Sequence, residues 1–211
     1  MEELFEKMAE VLIAGKEAEV KSLAQEALDK GTPARDILDK GLLAGMDVVG
    51  QRFKAGDMFI PEVLLCARCM HGAMDILNPH LSEGDAAGVG TYLIGTVEGD
   101  LHDIGKNLVS MMLQGAGFQV VDLGTNITAQ QFVEAVKEHQ PDILGMSALL
   151  TTTMPRMEET IQALKEAGIR DQVKIMAGGA PVTQDFVDKI GGDAYGANAA
   201  SATEKAKELV S

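Results

Sequence analysis

Cysteine, positive charge and long hydrophobic runs are all scarce in this chain. Its two cysteines, Cys66 and Cys69, stand in a Cys-x-x-Cys spacing that invites a redox, zinc or haem reading. They fall in a stretch, residues 61–70, that reads as a helix with proline in its first turn, whereas a thioredoxin-like pair opens a helix that follows a strand. Zinc would need two further donors, and only His71 and His80 are near. Met70 stands where a haem attachment requires histidine. Two buried helical thiols are the expectation. Lysine and arginine total 18 against 32 acidic residues, a formal net charge of −14, which repels nucleic acid and anionic membranes. No run of about 20 apolar residues occurs, and the start Met1-Glu2-Glu3-Leu4-Phe5-Glu6-Lys7 lacks the basic and apolar regions of a signal peptide. A cytoplasmic protein with no nucleic-acid or membrane partner is expected.

What is present is 211 residues with 46% hydrophobic content, enough for one large or two small packed domains. Residues 1–81 read as helices. Leu4, Phe5, Met8, Val11 and Leu12 form one apolar stripe, Gly15 interrupts it, and residues 17–29 carry a second. Thr32 is the expected cap and Pro33 the first residue of a third helix reaching Phe53. After a turn at Gly56, Met58-Phe59-Ile60 reads as briefly extended, and Pro61 opens a fourth helix ending near Leu77 or Leu81. Residues 82–90, polar and glycine-containing at their start, read as a linker and natural hinge. From 91 to 211 the pattern alternates strand and helix, with strands at 92–97, 119–122, 143–146, 174–177 and, more weakly, 194–195. The expected fold is α plus α/β: a four-helix bundle, then a Rossmann-like, flavodoxin-like five-stranded parallel sheet with helices on both faces.

The first of these strands ends in Thr96-Val97-Glu98-Gly99-Asp100-Leu101-His102-Asp103-Ile104-Gly105-Lys106-Asn107, after which helical apolar spacing resumes. Loops at the carboxyl edge of such sheets bind ligands. Gly99 and Gly105 permit a sharp turn and close approach to a ligand. Asp100 and His102 are two apart, so on extended backbone their side chains leave the same side and meet. A carboxylate that accepts one ring N–H fixes the tautomer and leaves the other nitrogen as a lone-pair donor. Dinucleotide binding fits poorly, because no Gly-x-Gly-x-x-Gly is present and an anion and a ring occupy the pyrophosphate's place. Nor do the residues before Lys106 match a phosphate loop.

Forty-one residues separate Gly105 from Ser147-Ala148-Leu149, and twenty-eight more precede Gly178-Gly179. This Asp-x-His-x-x-Gly, Ser-x-Leu, Gly-Gly series resembles the cobalamin-binding motif of methionine synthase, the corrinoid methyl-carrier proteins and the base-off mutases. The resemblance covers essentially the whole chain and implies a base-off, histidine-on cobamide. His102 is then the axial ligand of cobalt, oriented by Asp100, with Gly99, Asp103, Ile104 and Gly105 around it. In the methyl-transferring relatives a hydroxyl six residues after the motif serine completes a relay. That position is Thr153, where serine is the familiar occupant; without the resemblance Thr153 reads as a helix cap. Ser147, Leu149, Gly178 and Gly179 are implied to line a channel for the displaced nucleotide tail, with Gly196 and Asn198 at the tail's far end; Thr151 is implied to be a further cofactor-binding residue. Phe53, Ile60 and Val63 match residues that cover the cofactor's upper face, although on spacing alone they are core positions.

The resemblance thus implies a corrinoid subunit that carries methyl between a substrate-specific methyltransferase, acting on a methylamine, betaine, methanol or methoxyarene, and a second methyltransferase serving tetrahydrofolate or coenzyme M. A reductive activase is a further implied partner. A substrate-activating barrel needs about 250 residues beyond those used here, so the chain is not expected to be a complete catalyst. Three rivals are weighed. A radical-mutase subunit usually lacks the helical half, and a cobalamin-responsive regulator would need an output module, whereas residues 1–81 show no basic recognition helix. The third, an acidic α/β binding domain without cobalt, would be favoured only by a failed cofactor test.

Overall fold

The structure is a computed structural model that describes residues 2–81 and 89–210. The chain divides into two compact units, residues 1–88 with 114–117, and residues 89–113 with 118–211. The first is helical. Helix α1 (Glu2–Ile13) buries Phe5, Met8, Val11 and Leu12, and α2 (Glu17–Asp29) buries Val20, Leu23, Ala24 and Ala27. The third helix, α3, runs through an α-helical start (Ala34–Asp36), a π-helical stretch (Ile37–Leu43) and an α-helical remainder (Ala44–Ala55). Gly41 and Gly45, one turn apart, bring it close to α1: a Cβ at Gly41 would lie 2.8 Å from Met8 Sδ, and one at Gly45 3.1 Å from Ala9 Cα. Gly56 ends α3 in the left-handed conformation, which spares a Cβ its steric penalty.

Helix α4 (Ile60–Leu77) starts one residue earlier than the leading proline suggests. Phe59 is the extended flanking residue, Ile60 is the first helical residue rather than the end of an extended run, and the Phe59 N–H donates to Glu62 Oε2 at 2.8 Å. At α3 the boundary shifts the other way, since Pro33 is itself the flanking residue and Ala34 the first helical one. Cys66 and Cys69 are free and buried on α4. Burial pushes the Cys66 thiol up to about 11 and raises that of Cys69, so both are packing groups rather than reactive thiolates.

The second unit holds β1 (Gly90–Thr96), all but the last two residues of α5 (Ile104–Gly115), β2 (Phe118–Asp122), α6 (Ala129–His139), β3 (Ile143–Ser147), α7 (Pro155–Glu166), β4 (Lys174–Gly178), α8 (Gln184–Ile190), β5 (Ala194–Gly196) and α9 (Ala199–Val210). Of the linker expected over 82–90, residues 82–88 lie outside the described residues, and Gly90 belongs to β1, paired with Phe118. All pairings are parallel, in the order β2-β1-β3-β4-β5. This is the flavodoxin-like order, whose switch point lies between β1 and β3.

Strand parity explains what the two faces do, because alternate residues point to opposite sides. One face carries Leu93, Leu144 and Ile175, which pack with Phe132 and Val133 of α6, Met157 and Ile161 of α7, and Val187 of α8. The other carries Tyr92 and Ile94, Gly145 and Ser147, Met176 and Gly178, and Gly196. Residues of α5 and α9 stand over this face with a cavity between them. Three helices cover one side of the sheet; on the other, two helices and glycine-bearing strands leave a channel. Among the described residues no helix is long and apolar enough to cross a membrane.

Candidate functional site

The loops leaving β1 and β3 face each other across the switch point, and Asp100 joins them. Its side chain is fully buried. Oδ1 accepts from the His102 backbone N–H at 3.0 Å and lies 2.7 Å from His102 Nδ1. Oδ2 accepts from the backbone N–H of Leu149 at 2.7 Å and of Leu150 at 3.3 Å, and from the Thr153 hydroxyl at 2.9 Å. Burial alone would raise the Asp100 carboxyl; hydrogen bonds from Leu149, from the His102 backbone and ring, and from Thr153 outweigh it and hold the group well below the usual carboxylate range. An ionised Asp100 only accepts, so the proton of a neutral His102 sits on Nδ1 and Nε2 presents its lone pair. The His102 side chain is 53% exposed.

The loop that carries this pair is tied down by further residues, of which Thr96 and Asn126 were given no role by the sequence. Buried Thr96, the last residue of β1, donates its hydroxyl to the His102 carbonyl at 2.9 Å. Asn126, in the left-handed region at φ 58°, accepts from the Gly99 N–H and donates its own N–H to the Asp100 carbonyl. Gly99 itself has φ 80°. Lys106 extends from the first turn of α5 with its side chain buried, and its ammonium contacts Asp122 at the end of β2 and Asn107 Oδ1 at 2.8 Å. Gly124-Thr125-Asn126 follows β2 at the ligand-binding edge, and that position was the available signal for Asn126. Thr96 carried none.

The remaining expected residues sort by position. A cavity of about 580 Å³ is lined by His102, Asp103, Ile104, Gly105, Ser147, Leu149, Gly178, Gly179, Gly196 and Asn198 among others. Ile104 and Gly105 belong to α5 rather than to the loop. Thr151 is exposed in the turn after β3 and is not part of the cavity wall. Thr153 is not the flanking residue of α7, which is Met154; its hydroxyl serves Asp100 and the Leu150 carbonyl instead. Gly196 is level with Gly178 and Ser147 in register, so with Asn198 it lies at the carboxyl edge of the sheet. Asn198 Oδ1 accepts from the Ser201 N–H at the start of α9. Phe53, half-buried near the end of α3, Ile60, 44% exposed, and buried Val63 all belong to the helical unit.

The Gly-Gly pair is required by the chain path itself. A Cβ on Gly179, whose φ is 128°, would stand 1.9 Å from the Ala148 carbonyl oxygen, and one on Gly178 would stand 2.9 Å from that of Gly196. Gly179→Ala is therefore expected to cost about 3 kcal/mol or more, read as a fall of several degrees in the thermal unfolding midpoint. Gly105 is different. A Cβ there meets nothing within 4 Å, although the residue lines the cavity; its absence enlarges the space available to a ligand.

The B12 binding domain family matches residues 90–204, and a second model of a B12 binding domain matches residues 4–78. The chain is 45% identical to dimethylamine corrinoid protein 1 of Methanosarcina acetivorans over 99% of its own length and 98% of that relative. It is 44% identical to trimethylamine corrinoid protein 1 of the same organism, over 99% and 98%. The chain belongs to the family of B12-binding corrinoid proteins. Among solved structures it superposes on the methanol:cobalamin methyltransferase complex of Methanosarcina barkeri with a TM-score of 0.87 and 34% identity, covering 99% of this chain and 80% of that one.

As a member of the corrinoid protein family the chain binds a cobamide, and the residues present fit one. Among the described residues no group of three or more His, Cys, Asp or Glu side chains could hold a metal ion. One oriented imidazole suits a metal that arrives with its own equatorial ligands. Leu101 at 72%, Ile104 at 86% and Leu149 at 43% exposure set an apolar surface near that imidazole, as a flat, largely apolar macrocycle requires. The channel between α5 and α9 has room for a nucleotide tail.

Proposed function

We propose that the chain is the methyl-carrying corrinoid subunit of a multi-component methyltransferase system in the cytoplasm. The observation that carries this reading is the isolated His102 imidazole, held by Asp100 with Nε2 outward at the mouth of an open channel. The cobamide, when bound, supplies a cobalt centre that accepts a methyl group from one partner and gives it to another. The chain's own residues hold and tune it. His102 would hold the cobalt through Nε2, Asp100 keeps the proton on Nδ1 and fixes the ring plane, and Thr153 stabilises the carboxylate. A ligand whose second nitrogen is hydrogen-bonded to an anion is a stronger donor, and the same proton gives the site a means to offset changes of charge at the metal.

Ser147, Leu149, Gly178 and Gly179 are the walls of the tail channel in this reading, and Gly105 leaves room beside it. The family resemblance assigns Phe53, Ile60 and Val63 to shielding the bound cobalt from water, and that role is proposed for them here. The names of the relatives favour a methylamine as methyl donor. The proposed partners are a substrate-specific methyltransferase, a second methyltransferase serving tetrahydrofolate or coenzyme M, and a reductive activase.

Electron paramagnetic resonance of the protein reconstituted with a cobamide and held as Co(II) tests the assignment. The expected spectrum shows splitting from one axial nitrogen, and its multiplicity changes when the protein is grown with nitrogen-15 histidine. A splitting insensitive to that label would assign the axial ligand to the cofactor's own base and overturn the role of His102.

A further inference from the structure

The closed end of the channel holds a polar group that axial ligation does not use. Tyr92 is 2% exposed and lines the cavity together with Ile94, Gly145 and Met176. Its Cα is in register with Ile143, two residues deeper than Gly145, yet its ring reaches up across Gly145: a Cβ on that glycine would stand 2.6 Å from the phenolic oxygen. The absence of a side chain at 145 is what allows the ring to lie there. Its edge packs against Phe118, with centroids 6.2 Å apart and planes at 86°.

Among the described residues the hydroxyl has one hydrogen-bond partner, Met176 Sδ at 3.6 Å. A thioether is a weak acceptor, and a buried hydroxyl without a good partner is costly. Burial also pushes the Tyr92 pKa up, so the group stays a neutral donor at any working pH. The other polar side chains of the wall are engaged or sit at the mouth. Lys106 contacts Asp122 and Asn107, Asp103 accepts from Asn107, and Asn198 serves the start of α9. Ser147 is the last residue of β3, at the carboxyl edge. Tyr92 is therefore the polar group that meets whatever reaches the floor.

A lower base that reached this part of the channel would bring an edge of its ring to the Tyr92 hydroxyl. We propose that Tyr92 is a specificity-determining residue that reads the far edge of the cobamide's lower base. It favours a heterocycle whose far edge carries a hydroxyl or another hydrogen-bonding group over one that is alkylated there. The inference rests on the cobamide reading above and adds to it the choice of cofactor.

Equilibrium binding of two cobamides that differ only in the lower base, hydroxybenzimidazole against dimethylbenzimidazole, tests it. The wild-type protein is expected to prefer the hydroxylated cofactor by about 5-fold, the value of one modest hydrogen bond. Tyr92→Phe keeps the ring and its contact with Phe118; it is expected to lose the preference while binding the dimethyl form as well as before. Met176→Leu removes the competing acceptor and is expected to keep or increase the preference. A wild type without preference, or a Tyr92→Phe protein that retains it, overturns the role of Tyr92 and leaves cobamide binding intact. Failure of the wild type to bind either cofactor overturns the cobamide reading itself, and this inference with it.

Discussion

The His102→Ala protein is expected to keep cobamide in its channel and lose methyl transfer by on the order of 100-fold or more. The side chain is half exposed, and its ring is held through the Nδ1 contact with Asp100. Its removal therefore leaves the fold and the channel in place. The channel wall is built largely from β1, β3, β4, β5, α5 and α9, none of which depends on the imidazole. What disappears is the Nε2 lone pair that would hold the metal and the proton linkage to Asp100. The measurements are single-turnover methyl transfer, the same paramagnetic resonance spectrum without the imidazole splitting, and an equilibrium cobamide titration. A variant with full turnover would sink the axial role, and one that no longer binds any cobamide would show that the imidazole, rather than the channel, supplies most of the affinity.

Asp100→Asn is expected to be the more destabilising change. Every recorded side-chain contact of Asp100 is to a donor: the His102 N–H and ring on one oxygen, and the Leu149 and Leu150 N–H groups and the Thr153 hydroxyl on the other. An asparagine places its own NH2 against one of these sets, leaving buried donors facing a donor. A loss of about 2–3 kcal/mol follows, with loosening of the loop that carries His102. The pH dependence has a definite sign. The folded-state carboxyl is held below its ordinary value of 3.8, so ionised Asp100 contributes stability that is fully present above that value and is lost as pH falls below it. Chemical denaturation at stepped pH should show a constant gap between wild type and variant from neutrality to about pH 5, narrowing below about pH 4. A gap that widens on acidification would mean that Asp100 is not the buried acceptor described here.

The strand starts at Gly90 and Phe118 and the helix starts at Ile60 and Ala34 differ by one or two residues from what spacing predicts. Such ends are decided by local hydrogen bonds, such as Phe59 N–H to Glu62, that hydrophobic periodicity does not encode. The Asp100–His102 pair was legible because side chains two apart on extended backbone meet without help from the rest of the fold. Thr153 was legible only through resemblance to a family, and its alternative reading as a helix cap gives way because the turn at residues 150–153 aims its hydroxyl at Asp100. Thr151, two residues earlier in that turn, is exposed.

The sequence by itself determined the helical and alternating halves, the parallel sheet, the order of the motif fragments and the chemistry of an oriented imidazole, because each rests on contacts between near neighbours or on the period of apolar residues. Only the tertiary structure decided how Leu149, Leu150, Thr153, Thr96 and Asn126 converge on one loop, and which end of the channel each residue occupies. Parallel register sets Gly196 level with Ser147, at the mouth, and lays Tyr92 across Gly145, at the floor. Those juxtapositions join residues as many as 53 positions apart in the chain. They arise from pairing the ends of separate strands, and no local pattern of side chains records that pairing.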